Sequence, residues 1–190
     1  MLQKQGINLN QKVRTLRVFP AAVQNGDVRT RYRRGHLQAG GGWIACALGR
    51  HGVSYRKREG DGRTPAGAYK ILRGLFRADR LARPASAIRF QHITPLMGWC
   101  DDPRATAYNR PVKLPYSPSH EVMLREDRLY DVVLVLDYNI APRRRNAGSA
   151  IFFHIAEAGW PGTAGCIAIS PADMRRLLPR LSRTARVNIF

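Results

Sequence analysis

Short runs of β-branched and aromatic residues, each bounded by Gly, Pro, Asn or Asp, dominate the hydrophobic pattern of this chain. LRVFP (16–20), GWIACALG (42–49), GAYKILRGLF (67–76), DVVLVLDY (131–138), SAIFFHI (149–155), CIAIS (166–170) and RVNIF (186–190) have this form and predict β-strands. One segment, SPADMRRLLPRLS, shows clear helical periodicity. Ser170 is placed to cap it, Pro171 to open it and Asp173 to sit in its first turn, and Met174, Leu177, Leu178 and Leu181 follow at helical spacing. Pro179, which has no N–H to donate, limits how regular its end is. The pattern predicts a mainly β domain with a helix near the C-terminus.

Two polar stretches are too long for simple turns. YRKREGDGRTPAGAY (55–69) carries turn chemistry throughout, with Gly60, Gly62, Pro65 and Gly67. The second, an insertion at about 95–130, is rich in Pro, Asp and Asn but holds Trp99, Tyr108, Tyr116 and Tyr130, which argue for an ordered binding surface rather than disorder. No internal repeat or low-complexity tract occurs. Residues 1–15 read as an N-terminal extension and 16–190 as a single domain.

Charge changes the picture. The 190 residues carry 32 Lys and Arg against 13 Asp and Glu, a formal balance of +19, which points to an acidic partner: nucleic acid, anionic lipid or a carboxylate-rich polymer. The densest groups, RTRYRR (29–34) and RRR (143–145), lack the interleaved aromatics of a strand-binding groove, so specific nucleic-acid binding is not expected. No apolar run approaches the ~18 residues of a membrane span, and no secretory signal is visible at the start. The five histidines are scattered and neither CxxC nor HExxH occurs, so no metal or other cofactor is expected. Of the three cysteines, Cys46 reads as core filling, and Cys100 as the same or as a disulfide partner for Cys46 in an oxidising compartment.

The third cysteine carries the candidate chemistry. In FFHIAEAGWPGTAGCIAIS (152–170), His154 ends one apolar run and Cys166 begins the next. A thiol attacks as the thiolate and needs a base within reach, which an imidazole at the same end of the sheet would supply. Gly165 permits close backbone approach, and its amide with that of Cys166 can face a developing oxyanion. Spacing alone favours the plainer reading, a buried cysteine and a hydrogen-bonded histidine in a core.

Resemblance reverses that preference. KREGDGRTPAGAY, GWCDDP, YNRPV, LPYSPSHE, LYDVVLVLDYN, GSAIFFHI and TAGCIAIS, in this order, resemble the L,D-transpeptidase catalytic domain, also called YkuD, from about Leu16 onward. The resemblance implies a β-sandwich-like domain with peripheral helices, and an active site carried by His154, Thr163, Gly165 and Cys166. It implies a cysteine-dependent acyltransferase that cross-links peptidoglycan stems through a thioester, with L,D-carboxypeptidase action when water is the acceptor. Work on the cell wall and cell shape in the periplasm or cell envelope follows, although no export signal is visible. Ala164 and Ala168 stand where commoner members carry a histidine and an Arg or Asn, and the His to Cys interval is shorter, as in a branch with a TxGC(V/I)A-type motif. Both 3,3 and 1,3 cross-links stay open on this reading, as does the oligomeric state. Arg110 is the first choice for a fork on stem carboxylates, with Tyr108 and His120 behind it. The rival reading is a basic, non-catalytic binding module for an anionic polymer, cell wall or nucleic acid.

Overall fold

The structure, a computed structural model, describes residues 11–21 and 34–190. Most of the basic cluster at 29–34 and much of the expected N-terminal extension lie outside the described residues. The described residues form fourteen strands: β1 (Val13–Pro20), β2 (Arg34–Ala39), β3 (Gly42–Ala47), β4 (Val53–Ser54), β5 (Thr64–Pro65), β6 (Gly67–Phe76), β7 (Phe90–His92), β8 (Met97–Cys100), β9 (Arg110–Lys113), β10 (His120–Val122), β11 (Val132–Leu136), β12 (Phe152–Ile155), β13 (Ile167–Ile169) and β14 (Leu181–Ile189). Among the described residues there is one α-helix, α1 (Pro171–Leu177).

The main sheet runs β11-β12-β13-β3-β2-β1-β14-β6-β7 and closes on itself, because β6 also pairs with β11. Gly67–Lys70 lie against β14 and Ile71–Phe76 against β11, so one ten-residue strand joins both edges. The two layers expected of a sandwich are thus opposite walls of one ring. Leu16, Val18, Leu37, Cys46, Leu134, Phe153, Ile167, Ile169 and Val187 point into it and form its core. Met174, Leu177 and Leu178 of the α1 region join that core.

Period-two alternation then sends Val133, Val135 and Phe152 to the outside of the ring. There they meet Trp99, Met123 and Tyr130 of the 95–130 insertion in a second apolar cluster, with Trp99 edge-on to Phe152 at 5.2 Å. Every residue of VVLVL in β11 is buried, because both of its faces are covered. The insertion folds as a three-stranded sheet, β10-β8-β9, laid on the outer face. Asn109, at φ +53, ties it down: its Oδ1 accepts from Trp99 Nε1 (3.0 Å) and from the Ala150 amide (3.0 Å), and its Nδ2 donates to the Tyr138 and Asn139 carbonyls.

Ser170 caps α1 as expected, its Oγ accepting from the Asp173 amide at 3.1 Å. The helix is shorter than its periodicity predicts. It gives way to a 3-10 turn, Leu178–Arg180, around Pro179, and Leu181 opens β14 instead of continuing the apolar stripe. All three cysteines are free. Cys46 lies inside the ring and Cys100 in the small sheet outside it, so the disulfide allowed above does not form.

Candidate active site

Strands β12 and β13 are parallel neighbours with His154 opposite Ala168 and Phe153 opposite Ile167. One step back sets Cys166 beside Phe152, whose amide donates to Sγ at 3.3 Å. Cys166 and His154 therefore share the outer face, two positions apart along it. A rise of ~3.3 Å per residue and ~4.8 Å between strands put their Cα atoms roughly 8 Å apart. Both side chains line one cavity of about 320 Å³, together with Glu121, Arg125, Tyr130 and Thr163. Tyr130 packs edge-on to His154 at 5.4 Å.

The bend before β13 is held from two sides. Thr163 bonds to the chain after β3, its amide donating to the Leu48 carbonyl (2.8 Å) and its carbonyl accepting from the Arg50 amide (2.9 Å). Its hydroxyl donates to the Cys166 carbonyl at 2.7 Å and accepts from the Gly165 amide at 3.1 Å. Gly165 has φ +144, and a Cβ there would lie 2.7 Å from the Arg63 carbonyl oxygen. Only glycine lets the 55–66 loop approach so closely. In that loop Lys57, nearly buried, donates to Asp61 and to the Arg58 carbonyl. Thr64 Oγ1 accepts from the Gly49 amide and donates to the Cys166 carbonyl at 3.4 Å.

The electrostatics describe a neutral resting pair. His154 Nδ1 lies 2.8 Å from the Ile155 carbonyl, an acceptor, so Nδ1 carries the proton and Nε2 is the unprotonated nitrogen. Burial pushes the imidazole down to about 4, helped by the charge of Arg125. Burial pushes the Cys166 thiol up to about 12, and the charge of Glu121 adds to this while the Phe152 amide and Lys57 oppose it. The thiol donates to the Ala150 carbonyl at 3.2 Å. At neutral pH the site holds a thiol and a neutral imidazole, not a preformed ion pair.

The other sequence-predicted residues fall out differently. Thr163 reaches the cavity, but its hydroxyl braces the turn. The Gly165 amide, expected to face an oxyanion, is taken by Thr163. Arg110 is exposed on β9, at one edge of the small sheet, whereas Glu121 of the opposite edge strand β10 lines the cavity; the structure does not bring Arg110 into it. Tyr108 is buried, its hydroxyl donating to Glu59 and accepting from the Gly148 amide at 3.0 Å. Ser149 also donates to Glu59, so Tyr108 anchors the insertion to the 55–66 loop. His120 bonds to the Pro118 carbonyl and packs against Tyr116 outside the cavity. Two residues of the RRR cluster, Arg143 and Arg145, donate to carbonyls of residues 103–108.

Sequence reasoning passed over Glu121 and Arg125. The signal was there for the first: Glu121 and Met123 alternate onto one face, and Met123 is buried, so an acid stands at an inward position of the strand.

A family model for the L,D-transpeptidase catalytic domain (YkuD) matches residues 7–189, and the chain belongs to that family. No curated protein matches the chain. The match opens ahead of Leu16, as does β1, which starts at Val13. Among the described residues no helix is long and apolar enough to cross a membrane.

Proposed function

We propose that this chain is a cysteine-dependent peptidoglycan L,D-transpeptidase with Cys166 as nucleophile and His154 as base. The observation that carries the reading is the shared cavity: Cys166 and His154, its imidazole pinned through Nδ1, line one space at the same end of adjacent parallel strands. The stem carbonyl enters beside Cys166, His154 takes the thiol proton as sulfur attacks, and the leaving amine recovers that proton. A thioester on Cys166 remains. The amine of a second stem attacks it to close the cross-link, and water competes to give carboxypeptidase products.

A buried neutral pair is compatible with this chemistry. Burial holds the thiol well above and the imidazole well below their ordinary values, which disfavours a preformed thiolate–imidazolium pair, so on this reading the proton leaves Cys166 as sulfur attacks. With the Gly165 amide engaged, the Cys166 amide is the remaining one of the two proposed oxyanion donors.

The substrate lies in the cell envelope, which is where the protein acts on this reading. Incubating the protein with purified tetrapeptide muropeptides and weighing the products tests it, and the mass of the dimer distinguishes a 3,3 from a 1,3 link. Absence of any cross-linked or trimmed product, with retention on the polymer, supports the binding-module reading instead.

A further inference from the structure

The acyl-transfer steps above leave Glu121 without a task, and it works against the first of them. Its carboxylate lines the same cavity as the thiol and raises the cost of forming the thiolate. It is held in place: Tyr130 donates its hydroxyl to Glu121 Oε2, and Glu121 sits in β10 opposite Trp99. The guanidinium of Arg125 lies 5.1 Å from the centre of the Tyr130 ring, and Asp127 fixes it through Nε (2.9 Å) and Nη2. Acid and base thus flank one aromatic platform. Among the described residues no ion pair joins Glu121 to Arg125, although both face the cavity that holds Cys166 and His154.

Glu121 and Arg125 are fixed groups of opposite charge that are not paired with each other, and with Nε and Nη2 of Arg125 engaged by Asp127 its Nη1 side is what remains to meet the anionic end of a zwitterion. We propose that Glu121 and Arg125 are the acceptor site of this transferase, Glu121 taking the ammonium and Arg125 the carboxylate of an α-amino-acid head group. The inference rests on the reading of Cys166 as the acylated residue.

The acceptor ammonium gives one proton to the Glu121 carboxylate and becomes an amine. Its nitrogen bonds to the thioester carbonyl carbon and passes its second proton to His154 Nε2. The C–S bond breaks, and His154 returns that proton to the departing thiolate. Products are the new amide, a neutral thiol, a neutral imidazole and protonated Glu121, which loses its proton to solvent. Burial raises the Glu121 pKa from the usual carboxylate range, which suits it to this proton uptake. A charge that hinders acylation is retained because it serves the second half of the reaction.

The test uses the whole chain, a purified tetrapeptide muropeptide as donor, and glycine or glycinamide as acceptor. The parent protein is expected to favour glycine, although glycinamide has the more easily deprotonated amine. Glu121→Gln keeps the side-chain shape and an oxygen for the Tyr130 hydroxyl. It is expected to acylate Cys166 faster, and to lower the ratio of aminolysis to hydrolysis by about tenfold or more. Arg125→Gln is expected to erase the preference for glycine. An unchanged ratio in Glu121→Gln, or acylation and aminolysis falling together as they would for a structural role, overturns the acceptor site alone. Failure of the parent protein to form any acyl adduct overturns the reading of Cys166 and the acceptor site with it.

Discussion

Replacing Gly165 with alanine probes the contact that seats Cys166. The residue has φ +144, and its new Cβ would lie 2.7 Å from the Arg63 carbonyl oxygen, 3.3 Å from Ile151 Cδ1 and 3.4 Å from Lys57 Cε. The two side-chain contacts can yield by a few tenths of an ångström. The carbonyl cannot, because Asp61 holds the Arg63 amide at 2.9 Å and the Thr64 amide bonds to the Gly52 carbonyl at 2.8 Å. Backbone strain costs about 1–3 kcal/mol and the forced shift about 1–3 kcal/mol, so destabilisation of about 2–6 kcal/mol is expected. With a denaturant slope of about 2 kcal/mol/M the urea midpoint falls by roughly 1–3 M, within what a domain of about 10 kcal/mol survives in buffer. Moving Cys166 by on the order of 1 Å lowers its acylation rate by about 100-fold. Urea unfolding and stopped acylation assays read the two effects. A midpoint within about 0.3 M of the parent, with an undiminished acylation rate, refutes the claim that this glycine is required by the loop behind it.

Two further outcomes follow from the site. His154 is neutral in the fold, with its pKa lowered from 6.5 to about 4, so the unfolded chain binds the extra proton between those values and stability falls as pH drops through that window. From about pH 7.5 to about pH 5 the loss is about 2 kcal/mol, measured as the difference in urea stability between the parent and His154→Gln, which lacks that titration. Arg110→Lys is expected to turn over soluble muropeptides like the parent, whereas Arg125→Lys loses about tenfold because an ammonium cannot hold Asp127 on one edge and present further donors to a carboxylate on another; the reverse order restores Arg110 to the site.

The sequence pattern marked the ring strands wherever large residues alternate or run continuously. GAYKILRGLF coincides with β6, and the two runs at the candidate site became adjacent parallel strands. Strand β2 escaped because its inward positions are Gly35, Leu37 and Ala39, two of them too small to register as hydrophobic. Closure of the ring was illegible for another reason: the β6 to β11 pairing joins segments about 60 residues apart, and no local pattern encodes a partner. The same limit explains Arg110. Its chemical type suited a carboxylate fork, but the order β10-β8-β9 decides which edge strand meets the cavity, and that order follows from packing on Phe152 and Val133. The cluster at 143–145 stood out in the sequence only as dense positive charge, whereas Arg143 and Arg145 donate to backbone carbonyls, a use that composition does not reveal.

The central claim concerns one sulfur atom. Brief incubation with a tetrapeptide muropeptide, an acid quench, and intact-mass measurement followed by peptide mapping report where acyl transfer begins. A single adduct is expected on the peptide containing Cys166, with Cys46 and Cys100, both fully buried, unmodified. A mass corresponding to loss of the terminal D-alanine indicates a 3,3 donor, and a mass retaining only the first stem residue indicates a 1,3 donor. Cross-linked product formed by the Cys166→Ala protein, or an adduct mapped to another residue, contradicts the account.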